Sequence, residues 1–99
     1  MVGFWLVIKS FADKTTLAIA LGQRPRRIAE PLYEAVRDKL TLIESVDAVE
    51  DLRLPPSNRL EKLIGDRAGQ WSIRVNRQWR LCFDWQDGAA WNVELVDYH

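Results

Sequence analysis

Apolar and polar positions alternate differently in the two halves of this chain. In the back half the period is two, the mark of half-buried strands. Trp71, Ile73 and Val75 fall on one side, with Gln70, Ser72, Arg74 and Asn76 on the other. Next, Trp79, Leu81, Phe83 and Trp85 alternate with Arg80, Cys82 and Asp84. In the last run Trp91, Val93 and Leu95 are expected on the core side, and Asn92, Glu94, Val96 and Tyr98 on the polar side. Asn76, Arg77 and Gln78 form a tight connection, and Asp87-Gly88 is a strong signal for a two-residue hairpin. The front half has helical spacing instead. After a strand-like start at 4–8, apolar residues predict a helix over 11–21 that stops at Gly22. A second helix is predicted over 28–46, with Leu32, Val36, Leu40, Ile43 and Val46 on one face. Pro31 suits its first turn, where a missing N–H costs nothing. Leu54, Pro55, Pro56, Ser57 and Asn58 then make a loop that ends the helical half.

The expected fold is α/β in the broad sense and α+β in detail: two N-terminal helices packed on one face of a mainly antiparallel sheet. The tryptophans at 71, 79, 85 and 91 lie in apolar register, which assigns them to the core rather than to base stacking. The opposite face gathers Arg74, Arg80 and Tyr98, a possible anion site. Cys82 shares that face between bulky neighbours, where a small inert thiol is the expected role.

Ninety-nine residues allow one compact domain and not two well-buried cores, so 1–99 is read as a single domain. An apolar fraction of 47% with 28% charged residues excludes a disordered chain. The apolar start is far shorter than a membrane span and lacks the features of a secretory signal, so a cytoplasmic protein without a membrane partner is expected. One cysteine and one histidine leave no internal disulfide and no Cys/His metal site, so no metal or other cofactor is expected. The formal charge is zero, yet it is unevenly spread: residues 52–82 carry seven basic and two acidic side chains, and 83–99 carry four acidic and none basic. Six of those seven cations are arginine, the residue suited to bidentate contacts with phosphate or carboxylate. The competing reading is a solvated sheet face whose arginines shield apolar neighbours.

The chain ends on Asp97, Tyr98 and His99, three proton-handling side chains together. His99 is the only histidine, and the only side chain whose ordinary titration lies near neutrality. Such an ending is either a solvated tail or a strand tip delivered into a site. The parity that sets Tyr98 beside Arg74 and Arg80 favours the second.

Several of these segments together resemble the HigB toxins of the RelE superfamily. The resemblance covers 8–99 and rests on Gly65, Asp66, Gly69, Trp71, Ser72 and Ile73, on Trp79, Arg80 and Phe83, and on the terminal Asp97, Tyr98 and His99. Residues 1–7 then read as an N-terminal extension or an upstream start. The resemblance implies a RelE-like fold with an RNA site on its open face. It further implies a metal-independent endoribonuclease that cuts messenger RNA on the translating ribosome. Its partners would be mRNA, the ribosome and a helix-turn-helix antitoxin of the HigA type, the toxin–antitoxin complex binding operator DNA through the antitoxin. The family's catalytic arginine corresponds to Arg80, and its terminal triplet to Asp97, Tyr98 and His99. Two positions depart: where relatives carry a histidine and a lysine, this chain has Glu61 and Ile64.

Metal-free cleavage by the 2′-hydroxyl needs a base, cations for the charge on phosphorus and an acid for the departing 5′-oxygen. Arg80, with Arg74, is expected to hold the phosphate, His99 to move protons, and Tyr98 to position or stack a nucleotide. Asp97 would orient His99 or Arg80. Glu61 is a conditional base, and Arg59, Lys62, Arg67 or Arg74 would supply the cation missing at Ile64. Two rivals are a toxin-fold partner whose catalysis is weak or lost, and a plain RNA-binding module.

Overall fold

The computed structural model describes residues 5–98. Helix α1 (Lys14–Ala20) begins later than the apolar pattern suggests. Asp13 caps it, its carboxylate accepting from the Thr16 amide at 2.9 Å. Phe11 is unavailable to the helix because it forms a parallel bridge with Val93. At the other end Gly22 has φ 85°, and the amides of Gly22 and Gln23 return to the carbonyls of Ile19 and Ala18, which satisfies the last helical acceptors. Helix α2 (Glu30–Ser45) carries Pro31 in its first turn, as its missing N–H permits. Its apolar stripe, Val36, Leu40 and Ile43, is fully buried.

Strands β1 (Glu61–Lys62), β2 (Trp71–Arg74), β3 (Trp79–Gln86) and β4 (Ala89–Asp97) follow in chain order and form one antiparallel sheet in that same order. The β3–β4 turn is the Asp87-Gly88 pair, both with positive φ (54° and 75°), the geometry that matches strand twist in a two-residue hairpin. The anticipated first strand is realised only in part. Residues 8 and 11 make isolated parallel bridges to Ala90 and Val93 along the free edge of β4, and residues 1–4 lie outside the described part. The segment is tied down from the helical side too, since the Glu44 carboxylate accepts from the amides of Leu6, Val7 and Ile8 at 2.6–3.0 Å.

The core lies between the helices and one sheet face, where Ile19, Val36, Leu40 and Ile43 meet Ile73, Leu81, Phe83, Val93 and Leu95. One buried polar contact fixes α1 against the sheet: the Thr16 hydroxyl accepts from the Leu95 amide at 2.9 Å. Thr16→Val keeps the shape but orphans that amide, so a loss of about 1–3 kcal/mol is expected. The midpoint of urea unfolding measures it.

One expectation fails. Trp91 is not in the core; it is 40% exposed, and Ala90 is buried instead. Between the pairs Cys82↔Glu94 and Asp84↔Trp91 the register shifts, so β4 contains an extra residue. Asn92, at φ 54°, absorbs the bulge. A bulge reverses the alternation beyond it, which carries Trp91 to the polar face beside Asp84.

Candidate active site

On the sheet face away from the helices, the register sets Arg80 directly opposite Arg74 on β2 and opposite Val96 on β4. Arg80 is only 8% exposed. Its Nε donates to the Ser72 hydroxyl at 2.9 Å, and its Nη2 donates to the Arg59 carbonyl at 2.6 Å and the Ser72 carbonyl at 3.3 Å. Glu61 approaches Nη2 at 3.4 Å, and the guanidinium carbon lies 5.6 Å from the centre of the Tyr98 ring. The guanidinium is thus locked in one orientation by neutral acceptors and an aromatic wall. The Glu61 side chain remains 58% exposed and open to a ligand.

The local chain explains this arrangement. Asn58 is buried and hydrogen-bonds the carbonyls of Leu52 and Leu54 through Nδ2, while its Oδ1 accepts from the Lys39 ammonium. That anchor fixes the turn before β1. Arg59 follows in the left-handed region at φ 46°, which aims its carbonyl at Arg80. β1 then pairs Glu61 with Ser72 and Lys62 with Trp71.

Like charges directly across a strand pair repel, so Arg74 and Arg80 face one another at an energetic cost. Glu61 is the single carboxylate paired with Arg80 among the described residues. Among the described residues Arg74 meets only a carbonyl, its Nε donating to that of Asn76 at 3.1 Å. The pair therefore keeps an excess of positive charge at a partly open spot, which is the electrostatic form of an anion site.

The other expected residues are distributed as follows. Tyr98 lies against Arg80, and its amide donates to the Gln78 carbonyl at 2.6 Å, which anchors the strand tip. Asp97 pairs with Trp79 in the register and so has the opposite parity, accepting from Gln78 Nε2 at 3.1 Å. Asp97 and Tyr98 therefore do not share one face, because adjacent strand residues point to opposite sides. His99 lies outside the described residues. Lys62 shares the face of Trp71, with its ammonium 5.6 Å from that ring centre, and is turned away from Arg80. Arg67 does reach the Arg80 face, donating to Gln70 and pairing with Glu94 at 3.1 Å. Ile64 is 90% exposed, just past the end of β1.

Two supports escaped sequence reasoning. Ser72 was visible as a small polar residue in phase with Arg80, and it anchors the guanidinium twice. The Arg59 carbonyl carried no side-chain signal. Cys82 is buried between these groups; desolvation pushes its thiol above the usual range, against the lowering effect of Arg67 and Arg80. It is held as a neutral spacer, as its position suggested.

Residues 9–99 match the family described as RelE-like toxin of type II toxin-antitoxin system HigB. Toxin HigB-1 of Vibrio cholerae is 45% identical over 73 residues, 74% of this chain and 77% of that protein. Endoribonuclease HigB of Proteus vulgaris is 33% identical over 93 residues, 94% of this chain and 100% of that protein. An uncharacterized protein of Haemophilus influenzae is 35% identical over 74 residues, 75% and 73% of the two chains. With an α+β fold of two helices on an antiparallel sheet and a match over nearly its whole length, the chain belongs to the RelE-like HigB toxins, the toxin members of type II toxin–antitoxin systems.

Proposed function

We propose that this toxin is a metal-independent endoribonuclease that cuts messenger RNA on translating ribosomes and is neutralised by a helix-turn-helix antitoxin of the HigA type, the complex binding operator DNA through that antitoxin. The observation that carries the reading is Arg80, buried, fixed by Ser72 and Arg59, and set opposite an arginine that no described carboxylate pairs with. A scissile phosphate placed between Arg74 and Arg80 meets cations that need no reorganisation as charge builds on its oxygens. Glu61, beside Arg80, takes the proton of the 2′-hydroxyl, and Tyr98 confines the nucleotide against the guanidinium. His99 supplies the proton for the departing 5′-oxygen, and Asp97 helps to fix the strand end that carries it.

Zero net charge suits a toxin whose substrate is positioned for it. A local basic site on a neutral protein binds free RNA weakly and salt-sensitively. Induced expression with mapping of messenger 5′ ends tests the reading: wild type is expected to arrest growth and create new ends within translated regions, Arg80→Ala to do neither. Efficient cutting of naked RNA at physiological salt would contradict ribosome dependence, and growth arrest without new ends would remove the nuclease assignment.

One observation favours the reading of weak catalysis. Where the resemblance to the HigB toxins implies a lysine, this chain has Ile64, 90% exposed, which brings no cation to that end of β1. Because the side chain is in solvent, Ile64→Lys is expected to leave the unfolding midpoint unchanged and to raise the single-turnover cleavage rate by about 10², the lower end for one added electrostatic contact.

A further inference from the structure

Beside the bulge in β4 lies a recess on the face that holds Arg80. It is an open cavity of about 410 Å³ lined by Gly69, Asp84, Trp85, Gln86, Trp91 and Asn92. Trp91 offers a partly exposed indole, and the Asp84 carboxylate accepts from Asn92 Nδ2 at 2.9 Å through one oxygen. Among the described residues no donor meets the second carboxylate oxygen or the Asn92 amide oxygen, which leaves both as acceptors. An aromatic face beside fixed acceptors is the equipment by which proteins hold an unpaired base: stacking supplies affinity, and the acceptors read amino groups on the base edge.

Its position fits the same reading. Asp84 stands four residues beyond Arg80 on β3 and on the same face, a strand distance of roughly 13 Å. Arg67, paired with Glu94 above Cys82, lies between them. A single strand with a phosphate at Arg80 passes one more cation and reaches Trp91 a nucleotide or two away. We propose that this recess is a base-reading subsite of the toxin, stacking one unpaired RNA base on Trp91 and selecting, through Asp84 and Asn92, a base with an exocyclic amino group over uracil. This rests on the reading of Arg80 as the phosphate site, and it assigns to Trp91 the stacking role that its apolar register had argued against.

Binding tests it independently of cutting. The probe is 2′-O-methyl tetra-adenylate, which lacks the attacking hydroxyl, carrying one abasic residue or one uracil at each position in turn and titrated at low salt into wild type, Trp91→Ala, Trp91→Phe and Asp84→Asn. At one position the abasic residue is expected to weaken wild-type binding about 5- to 150-fold. Trp91→Ala is expected to lose a similar factor with intact tetramer and nothing further with the abasic one, while Trp91→Phe keeps most of the effect. Asp84→Asn is expected to erase the adenine-over-uracil preference at that position. If the abasic and Trp91→Ala losses multiply at every position, or intact tetramer binds Trp91→Ala as it binds wild type, the subsite is overturned. If coupling is present but wild type cuts no RNA, the nuclease reading fails and the subsite stands; cutting without coupling gives the reverse.

Discussion

Arg80→Ala is expected to lower the single-turnover cleavage rate by about 10²–10³, the usual effect of removing one preorganised electrostatic contact to a transition state. Arg80→Lys is expected to fall almost as far. A lysine keeps the charge, but it cannot donate to Ser72 and the Arg59 carbonyl while also presenting a planar fork to a phosphate. The distinction matters because Arg80 also supports the fold: its loss leaves the Arg59 and Ser72 carbonyls without this donor, at a cost of about 1–3 kcal/mol. Circular dichroism and the unfolding midpoint separate the two contributions. A folded Arg80→Lys protein that cuts RNA at the wild-type rate would show that charge without the planar fork suffices, and a folded Arg80→Ala protein that does so would show that the guanidinium is structural only.

Glu61→Gln is expected to lower the rate by about 10²–10⁴, the range of a positioned proton-transfer group. The amide keeps the shape and can still accept from Arg80, so binding of uncleavable RNA should change little, while the catalytic step collapses. Glu61→His installs the residue type that the resemblance to the HigB toxins implies there. It is expected to retain cleavage and to move the acidic limb of the rate–pH profile upward, because imidazole becomes a base only near neutrality whereas carboxylates ordinarily do so about two units lower. An acidic limb at the same pH in Glu61→His and wild type would show that another group takes the proton.

Much of this site was legible in alternation. The parity of β2 and β3 placed Arg74, Ser72, Arg80 and Cys82 on one face, and the register bears that out pair by pair. The Asp87-Gly88 hairpin and the Gly22 stop were equally plain, since each needs positive φ and few residues supply it at little cost. What failed was whatever one residue can reverse. Asn92 inserts a single position into β4, and from there back to the hairpin every side chain changes side, so Trp91 leaves the core. Period two also split the terminal triplet, which side-chain chemistry had grouped together: Tyr98 lies at Arg80 and Asp97 on the other side. The same rule turns Lys62 away while Glu61 faces the site. The Arg59 carbonyl was beyond reach, because a backbone acceptor aimed by a left-handed residue leaves no mark on composition or spacing.

The two rivals separate by chemistry. A plain RNA-binding module gains nothing from a proton acceptor at 3.4 Å from a locked arginine, and an inactive partner has no reason to maintain the Arg74–Arg80 repulsion once no phosphate is held. The most direct measurement is cleavage of a ribosome-bound messenger bearing a single 2′-deoxynucleotide on the 5′ side of the cut. The 2′-hydroxyl mechanism predicts that cutting stops there, and that the all-ribose messenger yields a 2′,3′-cyclic phosphate and a 5′-hydroxyl in the presence of a chelator. Undiminished cutting at the deoxynucleotide, or products with 5′-phosphate ends, would contradict it.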